Sequence, residues 1–239
     1  MICRLKCLVL LGLLVTVSAC GVPVIPYDRG ATPVKTLAVL SPAWPTAGPT
    51  AFLASSPAQS FGLVGALVGA AIQANLDSKF RDSIAGQNFD GEAMFRARMM
   101  AALKARGYEL VEASARTDRT EFIEGGYGNL AADARPDAYL DCIVARFGYV
   151  AAGVTDAAPY RPFLSLRCRM TQAGGTTVLM RDTIIYNPLV NAAGFVGISP
   201  DPAYVFTNSE LLFADPAEAV KGMQDAVDKV TDALGTLLK

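Results

Sequence analysis

Two alternating runs constrain the second half of this chain more than any other feature. Over residues 138–149, Leu140, Cys142 and Val144 fall on one face. Over residues 163–172, Leu164, Leu166, Cys168 and Met170 fall on one face, with Ser165, Arg167, Arg169 and Thr171 on the other. A period of two marks a strand with one buried side. Gly174-Gly175 supplies a turn, and residues 177–187 return with Val178, Met180, Ile184 and Tyr186 on one side. The expected unit is a three-stranded antiparallel meander with one face on a core.

The same pairing bears on two cysteines. If the first two strands form a hairpin centred near Thr155, Cys142 and Cys168 each lie thirteen residues from the centre and face one another. Leu140 then meets Met170 and Val144 meets Leu166, so the apolar faces stay together. This spacing predicts a cross-strand disulfide; two buried thiols acting as small apolar residues are the alternative. No C-x-x-C pair is present to suggest a redox role.

Upstream, residues 34–40 (VKTLAVL) read as a first strand, stopped by Ser41-Pro42. Residues 41–60 carry four prolines and the only tryptophan, Trp44, and read as an irregular loop that Trp44 pins to the core. Residues 90–106 read as a helix: Asp90 caps it, and Phe95, Met99 and Leu103 repeat every four residues before Gly107 stops it. A strand at 108–112 follows, then a polar, glycine-containing loop over 113–136. After a second long loop, 187–214, the last helix starts at Asp215-Pro216 with Glu218 completing its cap. Val220, Met223, Val227, Val230, Leu234 and Leu237 form its apolar seam, and Asp225, Asp228, Lys229 and Asp232 its solvent side. The fold expected is α/β of the layered kind: a mixed sheet with the C-terminal meander, and helices packed on one face.

Residues 61–80 pose a separate question. Leu63, Val64, Leu67, Val68, Ile72 and Leu76 are interleaved with small residues, and Gly65 and Gly69 give the G-x-x-x-G spacing that lets helices approach closely. The apolar part is too short for a membrane span. A helix buried in the domain or lying against a neighbouring subunit is expected; a membrane-surface or oligomerising contact through Gly65, Leu67, Val68, Gly69 and Ile72 is the alternative.

The chemistry available is limited. The chain has no histidine, so the commonest general base and metal ligand is missing. No nucleophile–histidine pair and no phosphate-loop or cofactor motif is present, so no catalytic residue, no cofactor and no metal site is expected. Asp133, Asp137 and Asp141 are spaced four apart but lack a calcium-loop pattern, and are expected on a solvated edge. The formal charge of -1, with no basic run, argues against nucleic acid as a partner.

The N-terminus explains where such a chain would work. Arg4 and Lys6 precede an apolar stretch over 8–17, then the small residues Ser18 and Ala19, and Cys20. These are the parts of an export signal. Val17-Ser18-Ala19-Cys20 resembles the lipobox of bacterial lipoproteins. That resemblance implies cleavage before Cys20, lipidation of its thiol, and, with Gly21 rather than aspartate following, residence in the outer membrane facing the periplasm. The organisation expected is a signal peptide at 1–19, a lipidated tether at 20–33 and one α/β domain at 34–239. Without residues 1–19 the chain keeps 19 basic and 22 acidic residues, a net of -3.

The order of the elements at 34–40, 90–112 and 138–187 also resembles the compact α/β domain of envelope lipoproteins such as the curli-secretion lipoprotein family. It departs from that family in showing no clean alternating pair for a membrane-spanning hairpin. The function expected is a non-catalytic outer-membrane lipoprotein that binds or scaffolds an envelope protein partner or a second copy of itself. Two alternatives stand beside it: an auxiliary lipoprotein of lipid or polymer transport, holding an acyl chain between 61–80 and 187–206, and a carboxylate-based envelope hydrolase.

Overall fold

The computed structural model describes residues 23–54, 62–124, 127, 130, 135–153, 158–174, 176–190 and 193–239. Cys20 and Asp133 lie outside them. The elements run β1 (Thr36–Leu40), β2 (Thr50–Leu53), α1 (Gly62–Ile84), α2 (Gly91–Ala105), β3 (Glu109–Ala113), β4 (Ala138–Ala151), β5 (Tyr160–Gln172), β6 (Val178–Tyr186), β7 (Val196–Ile198), α3 (Ser209–Ala214) and α4 (Pro216–Leu237). They form a mixed seven-stranded sheet in the order β3-β1-β4-β5-β6-β7, with β2 also on β4. The fold is α/β.

β4, β5 and β6 are the antiparallel meander, and Cys142 pairs with Cys168 in its register. The two cysteines form a disulfide. Leu140 meets Met170 and Val144 meets Leu166. A bulge between Val144 and Arg146 then shifts the register by one, which keeps Phe147, Tyr149 and Ala151 on the core side. β1 runs parallel to both β3 and β4, so α1 and α2 form the crossover from β1 to β3.

The main core lies between the sheet and the helices. Phe80 and Ile84 of α1, Phe95, Met99 and Leu103 of α2, and Met223, Val227, Val230 and Leu234 of α4 pack with Leu37, Val39, Leu140 and Leu166 of the sheet. Burying one such aliphatic or aromatic side chain contributes roughly 1.5–3 kcal/mol against leaving it exposed. The caps are where the residues call for them. Asp90 accepts from the Ala93 amide at 2.9 Å and Asp215 from the Glu218 amide at 3.1 Å. Gly107 ends α2 with φ +82°.

Three expectations need correcting. The 41–60 segment is not wholly loop: Thr50–Leu53 is β2, parallel to β4, while Trp44 does pack its ring on Phe95 and Phe147 at 5.8 and 5.1 Å between centroids. β2 exists because Gly148 lies opposite Thr50; with φ +136°, a Cβ there would sit 2.0 Å from the Thr50 carbonyl oxygen. The 187–214 segment holds β7, parallel to β6, and α3, and Phe206 bridges to Tyr160. The 20–33 stretch, expected as a tether, joins the domain at Ile25, whose amide and carbonyl both bond to the Arg181 backbone at 2.8 and 2.9 Å. Tyr27 then donates to the Thr32 carbonyl.

Candidate functional site

The sheet face away from α2 and α4 carries the unusual chemistry. Alternation along β5 points Arg167 and Arg169 to this side, and along β6 it points Arg181 and Thr183 there. The register makes rows across three strands. Asp141, Arg169 and Arg181 are neighbours, and Ile143, Arg167 and Thr183 form the next row. Two arginines directly opposite one another repel, so this row needs negative charge or strong hydrogen bonding to be stable.

Part of that need is met by the segment after β3. Asp141 is fully buried, contrary to the solvated edge expected for it. It accepts two hydrogen bonds from Arg119 Nη1, at 2.8 and 2.9 Å, and one from the Tyr127 hydroxyl at 2.9 Å. Arg119 also donates to the Ser41 carbonyl at 3.1 Å. Burial first, and then the Asp141 carboxylate, push the Tyr127 phenol well above its ordinary range, so it stays a donor. Arg169 is held by neutral groups: the Tyr127 oxygen and, at 2.7 Å, the Ile123 carbonyl, with the Phe122 ring 4.7 Å from its guanidinium carbon. Asp137, the other described acid of the spaced set, accepts the Lys35 and Thr36 amides at 2.8 Å each. Those two donors hold its carboxyl below the usual carboxylate range.

Arg167 and Arg181 are less well served. Arg167 donates from Nη2 to the Thr120 carbonyl and reaches the Glu121 carboxylate only at 3.5 Å, while its Nε is buried without a hydrogen-bond partner among the described residues. Arg181 has a buried Nε without a partner and no carboxylate within ion-pair distance among the described residues. Both arginines line a cleft of about 690 Å³. Its walls are Glu121, Phe122 and Glu124 from the loop after β3, Arg167 and Arg169 of β5, Arg181 to Thr183 of β6, Ala193 to Phe195 before β7, and Pro23 and Val24. Glu121 and Glu124 stand in solvent at the rim. Asp182 is buried, and that burial raises its carboxyl above the ordinary value; its oxygen accepts the Thr183 amide at 2.7 Å. A second cavity, of about 410 Å³, shares Glu121 and Arg167 and runs on toward Trp44. A cleft of this size with convergent guanidinium groups and two flanking rings suits a ligand carrying an acidic group and a short apolar part.

The residues singled out in 61–80 lie elsewhere. α1 is anchored by its second half, where Leu76, Phe80 and Ile84 are buried and Gln73 donates to the Ala51 carbonyl at 2.9 Å. Leu67 and Ile72 are exposed and Gly69 is half-buried. Gly65 and Val68 are on the same helix, outside the residues whose surroundings are described. Among the described residues no helix is long and apolar enough to cross a membrane, and no three or more Cys, Asp or Glu side chains gather as a metal would require.

Sequence reasoning placed Arg167 and Arg169 on the polar face of β5 but did not gather them with Arg181. The missed signal was a run of arginines at alternate positions on neighbouring strands, beside a loop rich in acids. No family model matches the chain, and no curated protein matches it. Among solved structures it is similar to a Xanthomonas campestris protein of the family described as DUF330. That similarity has 15% sequence identity and a TM-score of 0.42, and covers 90% of this chain and 87% of that one.

Proposed function

We propose that this chain is a non-catalytic lipoprotein of the bacterial outer membrane, anchored through Cys20, whose periplasmic domain binds an acidic ligand or partner in the arginine-lined cleft. The observation that carries the binding half is Arg181, opposite Arg169 in a cleft of about 690 Å³ and with no carboxylate within ion-pair distance among the described residues. A buried or half-buried guanidinium without a carboxylate is costly unless something supplies the charge, so the site is arranged for an anion. The anchor half is supported by the Val17-to-Cys20 sequence. A transport auxiliary that houses an acyl chain fits less well, because three arginines interrupt the cleft and α1 packs on the other face of the sheet.

Both halves are testable. Cells expressing the full chain are fed an alkyne-bearing fatty acid and fractionated. The protein should take up the label and sediment with outer membranes, while Cys20→Ser should lose the label and accumulate uncut precursor. Label on the Cys20→Ser protein would remove the anchor. For the cleft, inorganic phosphate should show ³¹P line broadening with the detergent-extracted protein that is lost in Arg181→Gln. Equal broadening in both proteins would remove the cleft as the anion site.

A further inference from the structure

We propose that the cleft is the membrane-facing side of this protein, and that Arg181 and Arg167 there take the phosphate of an anionic phospholipid from the membrane that holds the anchor. This deepens, and rests on, the reading of Cys20 as lipidated and of the cleft as an anion site.

The first argument is the length of chain. Pro23 and Val24 are walls of the cleft, and Ile25 is fixed to the Arg181 backbone by two hydrogen bonds. Cys20 precedes Pro23 by only three residues. A fully extended chain gains at most roughly 3.3–3.6 Å per residue, so a lipid on Cys20 holds this wall within about 10 Å of the headgroup layer. An anchor elsewhere in a long tether would leave the orientation of the domain free; this one does not.

The second argument is the rim. Val24 is a large apolar side chain that the fold leaves exposed, at 39%. Val24 lines the cleft, as do Phe122, Ala193 and Phe195. Exposed apolar side chains around a basic recess match the headgroup–acyl boundary, where both kinds of group find partners.

The third argument is charge. Among the described residues Arg181 has no carboxylate within ion-pair distance, and Arg167 is held by the neutral Thr120 carbonyl and by Glu121 at 3.5 Å, while the rim acids Glu121 and Glu124 stand in solvent and are screened. A guanidinium matches phosphate oxygens in two parallel hydrogen bonds. A zwitterionic headgroup would bring its own cation against the Arg169–Arg181 pair, so the site prefers a lipid of net negative charge.

The lipoprotein is extracted in mild non-ionic detergent with its anchor in place and titrated with phosphatidylglycerol or phosphatidylcholine under native mass spectrometry. One phosphatidylglycerol should be retained about tenfold better than phosphatidylcholine, and Arg181→Gln should weaken it about tenfold. Arg161→Gln, an exposed arginine outside the cleft, should leave retention unchanged. Equal retention of both lipids by wild type and Arg181→Gln, with phosphate broadening still dependent on Arg181, would overturn the lipid assignment and leave the anion site standing. No lipid preference and no phosphate effect would remove both. Orientation is read independently of any arginine variant. In vesicles containing brominated lipid, Phe195→Trp, at a position that lines the cleft with Pro23 and Val24, should be quenched beyond wild type, whose single tryptophan, Trp44, packs on Phe95 and Phe147. No added quenching would overturn the membrane-facing placement.

Discussion

One face of the sheet is closed by Phe95, Met99, Leu103, Met223, Val227 and Leu234; the other is closed by Asp141, Arg119, Tyr127 and Arg169. The apolar cover is built from many side chains of one cluster, so losing one removes that side chain's burial and leaves a cavity among its neighbours. The polar cover acts as a unit. Asp141 is satisfied by Arg119 and Tyr127 together, and Tyr127 also holds Arg169. Removing one member leaves another buried and unpaired, at a cost set by the desolvation of the group left behind rather than by the strength of one hydrogen bond.

The sharpest way to break this comparison is Arg119→Ala. It strands a fully buried carboxylate and should cost about 3–5 kcal/mol in urea unfolding. Arg119→Met combined with Asp141→Leu should recover part of that loss, because neither member of the pair is left charged and alone, while the Tyr127 hydroxyl still loses its acceptor. Met223→Ala on the helix face should cost about 2–5 kcal/mol, with no second substitution on α4 able to restore it except by refilling the volume. Equal, additive losses for Arg119→Ala and Asp141→Leu would show that the two faces obey the same rules.

The disulfide joins β4 to β5 on the helix-covered face. It closes a sequence separation of 26 residues, so replacing both Cys142 and Cys168 by Ala should cost about 3 kcal/mol, read as a shift in the urea midpoint. A midpoint unchanged from wild type would mean that the hairpin is held by its register alone. A smaller loss, about 1–3 kcal/mol, is expected for Gly148→Ala, since the new Cβ meets the Thr50 backbone. Its effect should be local: amide exchange should rise across Thr50–Leu53 while α4 stays protected.

The helix-covered face was readable because its information is local. The alternation along β4, β5 and β6 and the four-residue spacing of Phe95, Met99 and Leu103 each sit within one element. β2 and β7 were not readable, being four and three residues long, too short to show a period, and β2 is held by a parallel partner far along the chain. The burial of Asp141 was not readable either. An acid on a strand looks solvated unless its partner is known, and Arg119 arrives from a loop 22 residues earlier. The cleft failed to show for the same reason: Arg167, Arg169 and Arg181 gain meaning only once β5 and β6 are in register with Asp141.

The smallest effect concerns Asp182, the one acid that breaks the apolar pattern of β6, opposite Cys168. Burial raises its carboxyl above the ordinary 3.8, with only the Thr183 amide working the other way. Below the unfolded value both states are protonated and the group is neutral in the balance. As pH rises above about 4, the unfolded chain releases its proton first, so stability falls until the folded value is passed. Asp137 runs opposite: its carboxyl is held low by the Lys35 and Thr36 amides, so its contribution is present above the unfolded value and is lost as pH falls through the folded one. Asp182→Asn should therefore stabilise the protein at neutral pH and have no effect below about pH 4, whereas Asp137→Asn should destabilise at neutral pH and converge on wild type in acid. Urea midpoints for the two variants across pH 3 to 8 would show whether the slopes have opposite sign. Slopes of the same sign would mean that Asp182 is charged and paired in the folded state, and that its place beside the cleft is an ionic one.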